Sequence, residues 1–347
     1  MSIELLPLED MSDQAWDELL FQMPDWRIFQ TSAWLRFIEA TQGARLLRLG
    51  VYDAGQLVGC WAAGKLHKGG LRIVGSPMRG WNTPYMGAAS HDLPAMELLK
   101  AWRRFLENHH IHHAQVTHPR FTHEMGVAVG FRTVQHGTFV CPIPPTEEGI
   151  LKQFHQSCRE AARRARRRGV EVENTDAPSF IDHFYYQLED VFGKQGMHPT
   201  FSKARMTTLW RIMKPTGRLL TFWAKLHGDV IATGIYLIGN HWHLSINSSS
   251  LRSAQKSYPN ELIRLEAMKM GAERGCTFHD LSGRGDYKIK FGAHYEGYHD
   301  LLYFTRPWVA WARAAYGTVK LMQLRRGLRK EIMPPRPPLP VEHSFEE

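Results

Sequence analysis

The chain predicts a mixed α/β fold of the α+β kind, assembled from one unit used twice. Two observations carry that prediction and a third places the join. First, Arg48 to Ala62 (RLGVYDAGQLVGCWA) and Thr221 to Ile238 (TFWAKLHGDVIATGIYLI) each read as strand, tight turn and strand, with turns at Gly55 and Gly228. Second, each hairpin is followed by an amphipathic helix with a similar opening, Met96-Glu97-Leu98-Leu99-Lys100 and Asn260-Glu261-Leu262-Ile263-Arg264. After each helix comes a strand, Ala114 to Thr117 and Thr277 to Leu281. The turn glycines lie 173 residues apart and the helix glutamates 164 apart, as a duplicated domain with altered loops requires. Third, Pro142-Ile143-Pro144-Pro145 is a stop before a new helix. The predicted division is 1–144 for the first domain and 145–305 for the second, with 306–347 a basic helix and Pro-rich tail.

Length and composition agree with this plan. A chain of 347 residues can bury two cores, and 43% apolar with 22% charged residues is ordinary for a globular protein. The acidic opening MSIELLPLEDMSDQ has no basic n-region or apolar h-region, so no signal peptide is expected. No apolar run reaches the roughly 18–20 residues of a membrane-spanning helix. Cys60, Cys141, Cys158 and Cys276 lack CxxC spacing, so neither a disulfide framework nor a zinc site is expected, and a reduced, cytoplasmic protein is.

The net charge of +9 is concentrated in two places, Arg159 to Arg168 and Arg306 to Lys330. Clusters of this kind favour anionic partners such as phosphates, nucleic acid or lipid. The helix carrying the first cluster should open at Thr146, with Glu147 and Glu148 in its first turn, and end near Gly169. On it, Arg159, Arg163 and Arg166 share one face by i, i+4, i+7 spacing, and Arg164, Arg167 and Arg168 broaden the stripe.

The densest chemistry lies in DLSGRGDYKIKFG, Asp280 to Gly292. A Gly-rich turn at Gly283 and Gly285 runs into an alternating segment that reads as a strand. Tyr287, Ile289 and Phe291 would then share one face, and Lys288 and Lys290 the other. Two ammonium groups on one face suit an anion or a developing negative charge, or else a solvated edge strand.

Four stretches, in this order and spacing, resemble the Fem-type (FemABX) peptidyltransferases and related acyltransferases built from two GNAT folds in tandem. They are FQTSAW (Phe29 to Trp34), CREAARRARRRGVEVE (Cys158 to Glu173), FYYQLEDVFGKQGMHP (Phe184 to Pro199) and DLSGRGDYKIKFG. The resemblance implies two GNAT-like domains, each a mixed central sheet flanked by helices. It implies an N-acyltransferase, forming an amide between an activated acyl donor and an amine of a cell-envelope, polysaccharide or peptide precursor. The donor would be a co-substrate, acyl-CoA or aminoacyl-tRNA, with no tightly bound cofactor. Such chemistry needs positioning, a proton acceptor and an environment for the oxyanion. Lys288 falls where the family carries the lysine of its late motif and is the expected oxyanion or carboxyl partner. Lys290 is the reserve, and Phe291 would pack beneath them. Arg159 and Arg163, with Arg164, are expected phosphate ligands, and Tyr287 and Arg284 expected substrate contacts. The sequence departs from the family in two respects: Ser248 to Ala254 has no Gly-rich pyrophosphate loop, and the coiled-coil arm is absent. The helix N-terminus near Pro259 still offers backbone N–H groups to a phosphate.

The run His109-His110-Ile111-His112-His113, with His118, has no acidic or Cys partner at ligand spacing, so no metal is expected. His241 and His243 flank Trp242 on an expected strand and would face one way, with His243 a candidate general base. Trp81-Asn82-Thr83-Pro84-Tyr85 reads as a rigid loop, its aromatic rings either packed in the core or edging a cleft. The helix over 308–330 mixes Trp308, Trp311 and Tyr316 with Arg313, Lys320, Arg325, Arg326, Arg329 and Lys330. Two readings stand for it: an interfacial helix on an anionic membrane surface, at the inner membrane face, or a helix packed across the second domain. Two functional alternatives also stand: a strictly aminoacyl-tRNA-dependent peptidyltransferase acting on a peptidoglycan-like precursor, and a non-catalytic basic module for RNA or anionic lipid.

Overall fold

The computed structural model describes residues 3–193, 199, 201–283 and 285–327, the last nine by backbone alone. The first half runs β1 (Ile3–Pro7), α1 (Asp13–Phe21), α2 (Ser32–Gln42), β2 (Arg45–Asp53), β3 (Gln56–Lys68), β4 (Leu71–Ser76), β5 (Gly87–Ser90), α3 (Ala95–Asn108), β6 (His113–Thr117), α4 (His123–Ala128) and β7 (Arg132–Pro142). Two helices follow, α5 (Glu147–Gln153) and α6 (Gln156–Arg167). The second half repeats the order with β8 (Glu171–Asn174), α7 (Phe180–Gly193), α8 (Lys203–Met213), β9 (Leu219–Leu226), β10 (Asp229–Gly239), β11 (Trp242–Ser250), α9 (Pro259–Glu273), β12 (Phe278–Asp280), a 3₁₀ turn over Asp286–Phe291 and β13 (His294–Phe304). The helix α10 (Pro307–Gly327) closes the described chain.

The duplication is written into the turns. The β2–β3 and β9–β10 hairpins turn on Ala54-Gly55 and His227-Gly228, each with positive φ at both residues (48° and 80°; 54° and 89°). Paired positive φ is what a two-residue turn needs to match strand twist, and glycine adopts it without strain. The next hairpins repeat it at Gly69-Gly70 and Asn240-His241. In both halves the third strand of the meander then pairs in parallel with the strand after the helix, β4 with β6 and β11 with β12.

One 13-stranded sheet joins the halves, in the order β1-β2-β3-β4-β6-β13-β7-β12-β11-β10-β9-β8, with β5 paired to β3. The order reads alike from either end, because each half lends its last strand to the other. β13 pairs with β6, β7 pairs with β12, and the lent strands pair antiparallel with each other from Arg132–Val140 to His294–Leu302. Alternation puts Trp61 of β3 into one apolar core and its neighbours Cys60 and Ala62 into another. One core lies under α3 in the first half and one under α6 and α9 in the second. A third is shared, joining α1 and α2 to α7 and α8 through Trp16, Trp34, Phe180 and Phe184.

Three sequence expectations are corrected here. The helix expected over 146–169 is two: Thr146 does cap α5, but Phe154 is extended (φ −66°, ψ 143°) and His155 caps α6. The break is held from outside, since Phe154 meets Phe291 edge-on at 5.2 Å and the His155 N–H donates to the Lys290 carbonyl (2.7 Å). The strand expected over 287–291 is the 3₁₀ turn, in which Lys288 and Phe291 point inward and Tyr287, Ile289 and Lys290 outward. Spacing i, i+3 on so tight a helix buries a pair that alternation would have set on opposite faces. Finally, α10 packs on the first half rather than across the second: Val309 is buried, and Lys68 at the β3–β4 hairpin donates to the Tyr316 hydroxyl (3.0 Å).

Candidate active site

The FQTSAW element builds one wall of the site. Thr31 caps α2, and Gln30, fully buried, donates to the Gly87 and Ala88 carbonyls (3.0 and 2.9 Å) while accepting from the Arg27 N–H (2.7 Å). The Trp34 indole donates to Thr83 Oγ1 (3.0 Å). These bonds pin the 77–84 loop, where Trp81 and the following Tyr85 are buried in the core and Asn82, Thr83 and Pro84 face a cleft. That cleft, about 750 Å³, opens where the halves exchange strands. The 77–84 loop, Gln115 and Thr117 of β6, His136 of β7, Tyr298 and Asp300 of β13 and the Ser282-Gly283 turn all border it.

The second wall is the late motif. Asp280, with no solvent exposure, accepts from Thr138 Oγ1, from the Ser282 N–H (2.7 Å) and from the Tyr85 hydroxyl (3.3 Å). Burial pushes its carboxyl upward, against the pull of those hydrogen bonds. The carboxylate fastens a turn in which Ser282 and Gly283 both have positive φ (54° and 63°). Lys288 lies behind this turn, 4% exposed, with Nζ donating to the Ser282 carbonyl and to the Gly283 carbonyl (3.0 Å). An ammonium has three N–H bonds, so one remains. Burial, helped by the Arg264 charge and opposed by Asp280, lowers Lys288 to about 8.

A pair unremarked in the sequence faces that turn across the cleft. Asp300 Oδ2 lies 3.1 Å from His136 Nε2, and its Oδ1 accepts from Thr117 Oγ1 (2.6 Å). The carboxylate is buried and the imidazole half-exposed, stacked against Tyr298. With Nε2–H directed at Asp300, Nδ1 is the ring's proton acceptor. Tyr298 is buried, and burial together with Asp280 and Asp300 raises its phenol well above the ordinary tyrosine range, so it stays a neutral donor. Alternation along YHDLLYF sets Tyr298 and Asp300 on one face, and an acid in that apolar run was a signal. Their neighbours were not readable, because β6 and β7 lie more than 150 residues upstream.

The other expected residues do not gather here. His243 is fully buried against α9, its Nδ1 3.0 Å from His279 Nδ1 and its ring stacked on Tyr236. Burial, then the Arg264 charge, lowers it to about 3. It borders no part of the cleft, and the general-base expectation is corrected on that ground; His241, outside the strand, is exposed. Lys290 and Tyr287 are exposed on the outer side of the 3₁₀ turn. Arg159 leans back on the Lys152 carbonyl (3.4 Å), Arg163 is exposed, and Arg164 sits over the Tyr258 ring at the start of α9. Arg166 leaves the expected stripe, since it pairs with Glu147 and Glu266. Arg252, seven residues before Pro259, gives its N–H to Asp190 (2.9 Å), and Pro259 opens α9 without an N–H of its own. Arg284 lies outside the described residues.

The family described as Acetyltransferase (GNAT) domain matches residues 152–295, from within α5 into β13. The matched residues make up most of the second half. No curated protein matches the chain by sequence. Among solved structures, FemX is similar over 85% of this chain and 96% of its own, with TM-score 0.69 and 14% identity. L-PGS from Bacillus licheniformis is similar over 85% and 93%, with TM-score 0.53 and 11% identity. A tandem GNAT protein from the clavulanic acid biosynthesis pathway is similar over 88% and 99%, with TM-score 0.51 and 12% identity. At these identities the likeness is one of fold, and it extends the GNAT frame over both halves. The chain thus has the tandem-GNAT, Fem-type fold that its motifs foretold, and its GNAT domain makes it an acyltransferase. Among the described residues no helix is long and apolar enough to cross a membrane.

Proposed function

We propose that the protein transfers an acyl or aminoacyl group to the amine of a cell-envelope, polysaccharide or peptide precursor. One observation carries the reading: the cleft sets a His–Asp pair and a lysine-backed turn on facing walls. The acceptor amine enters between them. Nδ1 of His136 takes a proton as the nitrogen attacks the donor carbonyl, and Asp300 steadies the imidazolium. The carbonyl oxygen becomes an oxyanion beside the Ser282-Gly283 turn, with the positive charge of Lys288 set behind that turn to stabilise it. Collapse breaks the thioester or ester bond, leaves the amide, and returns the proton to the departing thiolate or alkoxide. Arg159, Arg163 and Arg164 hold donor phosphates on α6, with Lys290 at the near end of the same basic surface.

The donor is acyl-CoA or aminoacyl-tRNA. The GNAT domain favours the first, while the lack of a Gly-rich pyrophosphate loop in Ser248 to Ala254 counts against it. Incubating the protein with labelled acetyl-CoA and, separately, with charged tRNA in the presence of candidate amines decides between them. His136→Asn and Lys288→Met are expected to abolish transfer from whichever donor works. If both variants transfer at the wild-type rate, the chemistry does not occur in this cleft.

A further inference from the structure

Tryptophan is the costliest side chain to leave in water, and α10 leaves two of them there. Among the described residues, which include all 11 tryptophans, only Trp308 and Trp311 are exposed (57% and 76%). With Ala312 and Ala315, also exposed, they follow i, i+3, i+4, i+7 spacing, the apolar stripe of an amphipathic helix. The sequence continues that register with Val319 and Met322. The stripe is not the side by which α10 packs on the protein. Val309 is buried, the Tyr316 hydroxyl accepts from Lys68 (3.0 Å), and Arg313 Nη2 donates to Gln115 Oε1 (3.5 Å). Those three residues follow i, i+4, i+7 and form the docked face. At 3.6 residues per turn, the free stripe lies roughly a third of a turn away from it.

Positive charge reaches this stripe from two segments. Arg306 to Lys330 holds seven basic residues and no acid. The β3–β4 hairpin, which α10 meets through Lys68, adds exposed Lys68 and Arg72 in a run without an acid from Ala54 to His91. An exposed apolar stripe rimmed by charge marks a surface that something covers. A second copy of the chain would bring like charges face to face. Nucleic acid supplies negative charge but no apolar layer for Ala312 and Ala315. An anionic lipid surface supplies both, since tryptophan rings settle at the headgroup level and basic side chains meet the headgroup charges.

We propose that α10 is an interfacial helix that seats the protein on an anionic lipid surface through Trp308 and Trp311. The helix lies along the surface, since among the described residues none is long and apolar enough to cross a membrane. Its docked face ends on Gln115, which borders the cleft, so the first-half end of the cleft lies about one helix diameter from the lipid. The acceptor is then lipid-linked and enters the cleft from the membrane side. That acceptor rests on the acyl-transfer reading; the lipid-binding face does not.

Binding is measured apart from catalysis, by co-sedimentation of the full chain with vesicles of phosphatidylcholine alone and of phosphatidylcholine mixed with phosphatidylglycerol. The anionic vesicles are expected to bind about tenfold more tightly or better. Raising salt from about 0.1 M to 1 M, which shortens the screening length from about 10 Å to about 3 Å, should weaken that binding about tenfold. The double variant Trp308→Ser/Trp311→Ser is expected to lose about tenfold or more, with the wild-type melting temperature, because both rings are exposed. Leu57→Ser removes an exposed apolar side chain at the opposite end of β3 from Lys68 and should sediment as the wild type. The proposal fails if phosphatidylcholine alone binds as well as the anionic mixture, or if the double variant sediments like the wild type. It fails too if size-exclusion chromatography shows a dimer that the double variant breaks, or if the double variant loses tRNA binding and keeps vesicle binding. Vesicle binding with no transfer from either donor would count against the acyl-transfer reading and leave the lipid-binding face standing.

Discussion

Lys288 and His136 divide the work at the scale of single residues. Lys288 holds two backbone carbonyls of the turn that borders the cleft, so replacing it removes both a charge and the support of a wall. Lys288→Met is expected to lower kcat by about 10²–10³-fold, the loss found when one oxyanion donor is removed. Because burial brings Lys288 to about 8, its charge is present below that pH and lost above it. Transfer rates are therefore expected to fall as pH rises through about 8, in a limb absent from Lys288→Arg. His136→Asn should cost about 10²–10⁴-fold, with little change in melting temperature, since the ring is half-exposed. The late lysine was legible in the sequence as a residue type in a Gly-rich, alternating run; its burial was not. Five residues fit a strand and a 3₁₀ turn equally well, and only Phe154 and His155, from a helix break more than 130 residues upstream, decide for the turn. His136 and Asp300 were not legible as a pair, because strand register between the halves is a property of the folded sheet.

Elements show the same division between local and distant causes. The hairpins around Gly55 and Gly228, the helices opening at Glu97 and Glu261, and the Thr146 cap were all readable, since each rests on a contact a few residues away. The β13–β6 and β7–β12 pairings, the docking of α10 and the break between α5 and α6 were not, since each rests on a partner far along the chain. The FQTSAW element is readable as a motif, but its purpose is visible only in Gln30 reaching Gly87 and Ala88. Gln30→Leu takes the side-chain donor from the Gly87 carbonyl and the acceptor from the Arg27 N–H, while the Ala88 carbonyl keeps His118 Nε2 at 3.1 Å. It is expected to cost about 2–4 kcal/mol in urea unfolding, at roughly 1–3 kcal/mol for each unpaired buried group. Because the same element pins the 77–84 loop, the variant should also raise KM for the acceptor.

For the whole molecule, buried imidazoles set the acid limit. Burial lowers His113 to about 4 and both His118 and His243 to about 3, while an unfolded histidine titrates near 6.5. Between those values the unfolded chain binds protons that the folded chain refuses, so stability rises with pH there and is lost on acidification. Melting temperature is expected to fall steadily from about pH 6.5 downward, and His243→Gln to shallow that slope. Strand exchange makes a second prediction. Residues 1–144 alone leave β6 without β13, an open edge of the kind that drives aggregation, whereas co-expression with 145–347 should return a soluble complex by size-exclusion chromatography. Exchange also imposes a schedule. At about 5–20 residues per second, the ribosome needs on the order of 10–40 s between finishing β6 and delivering β13. For that interval the nascent chain carries an unfinished sheet edge, and the two halves mature together only when the last strand arrives.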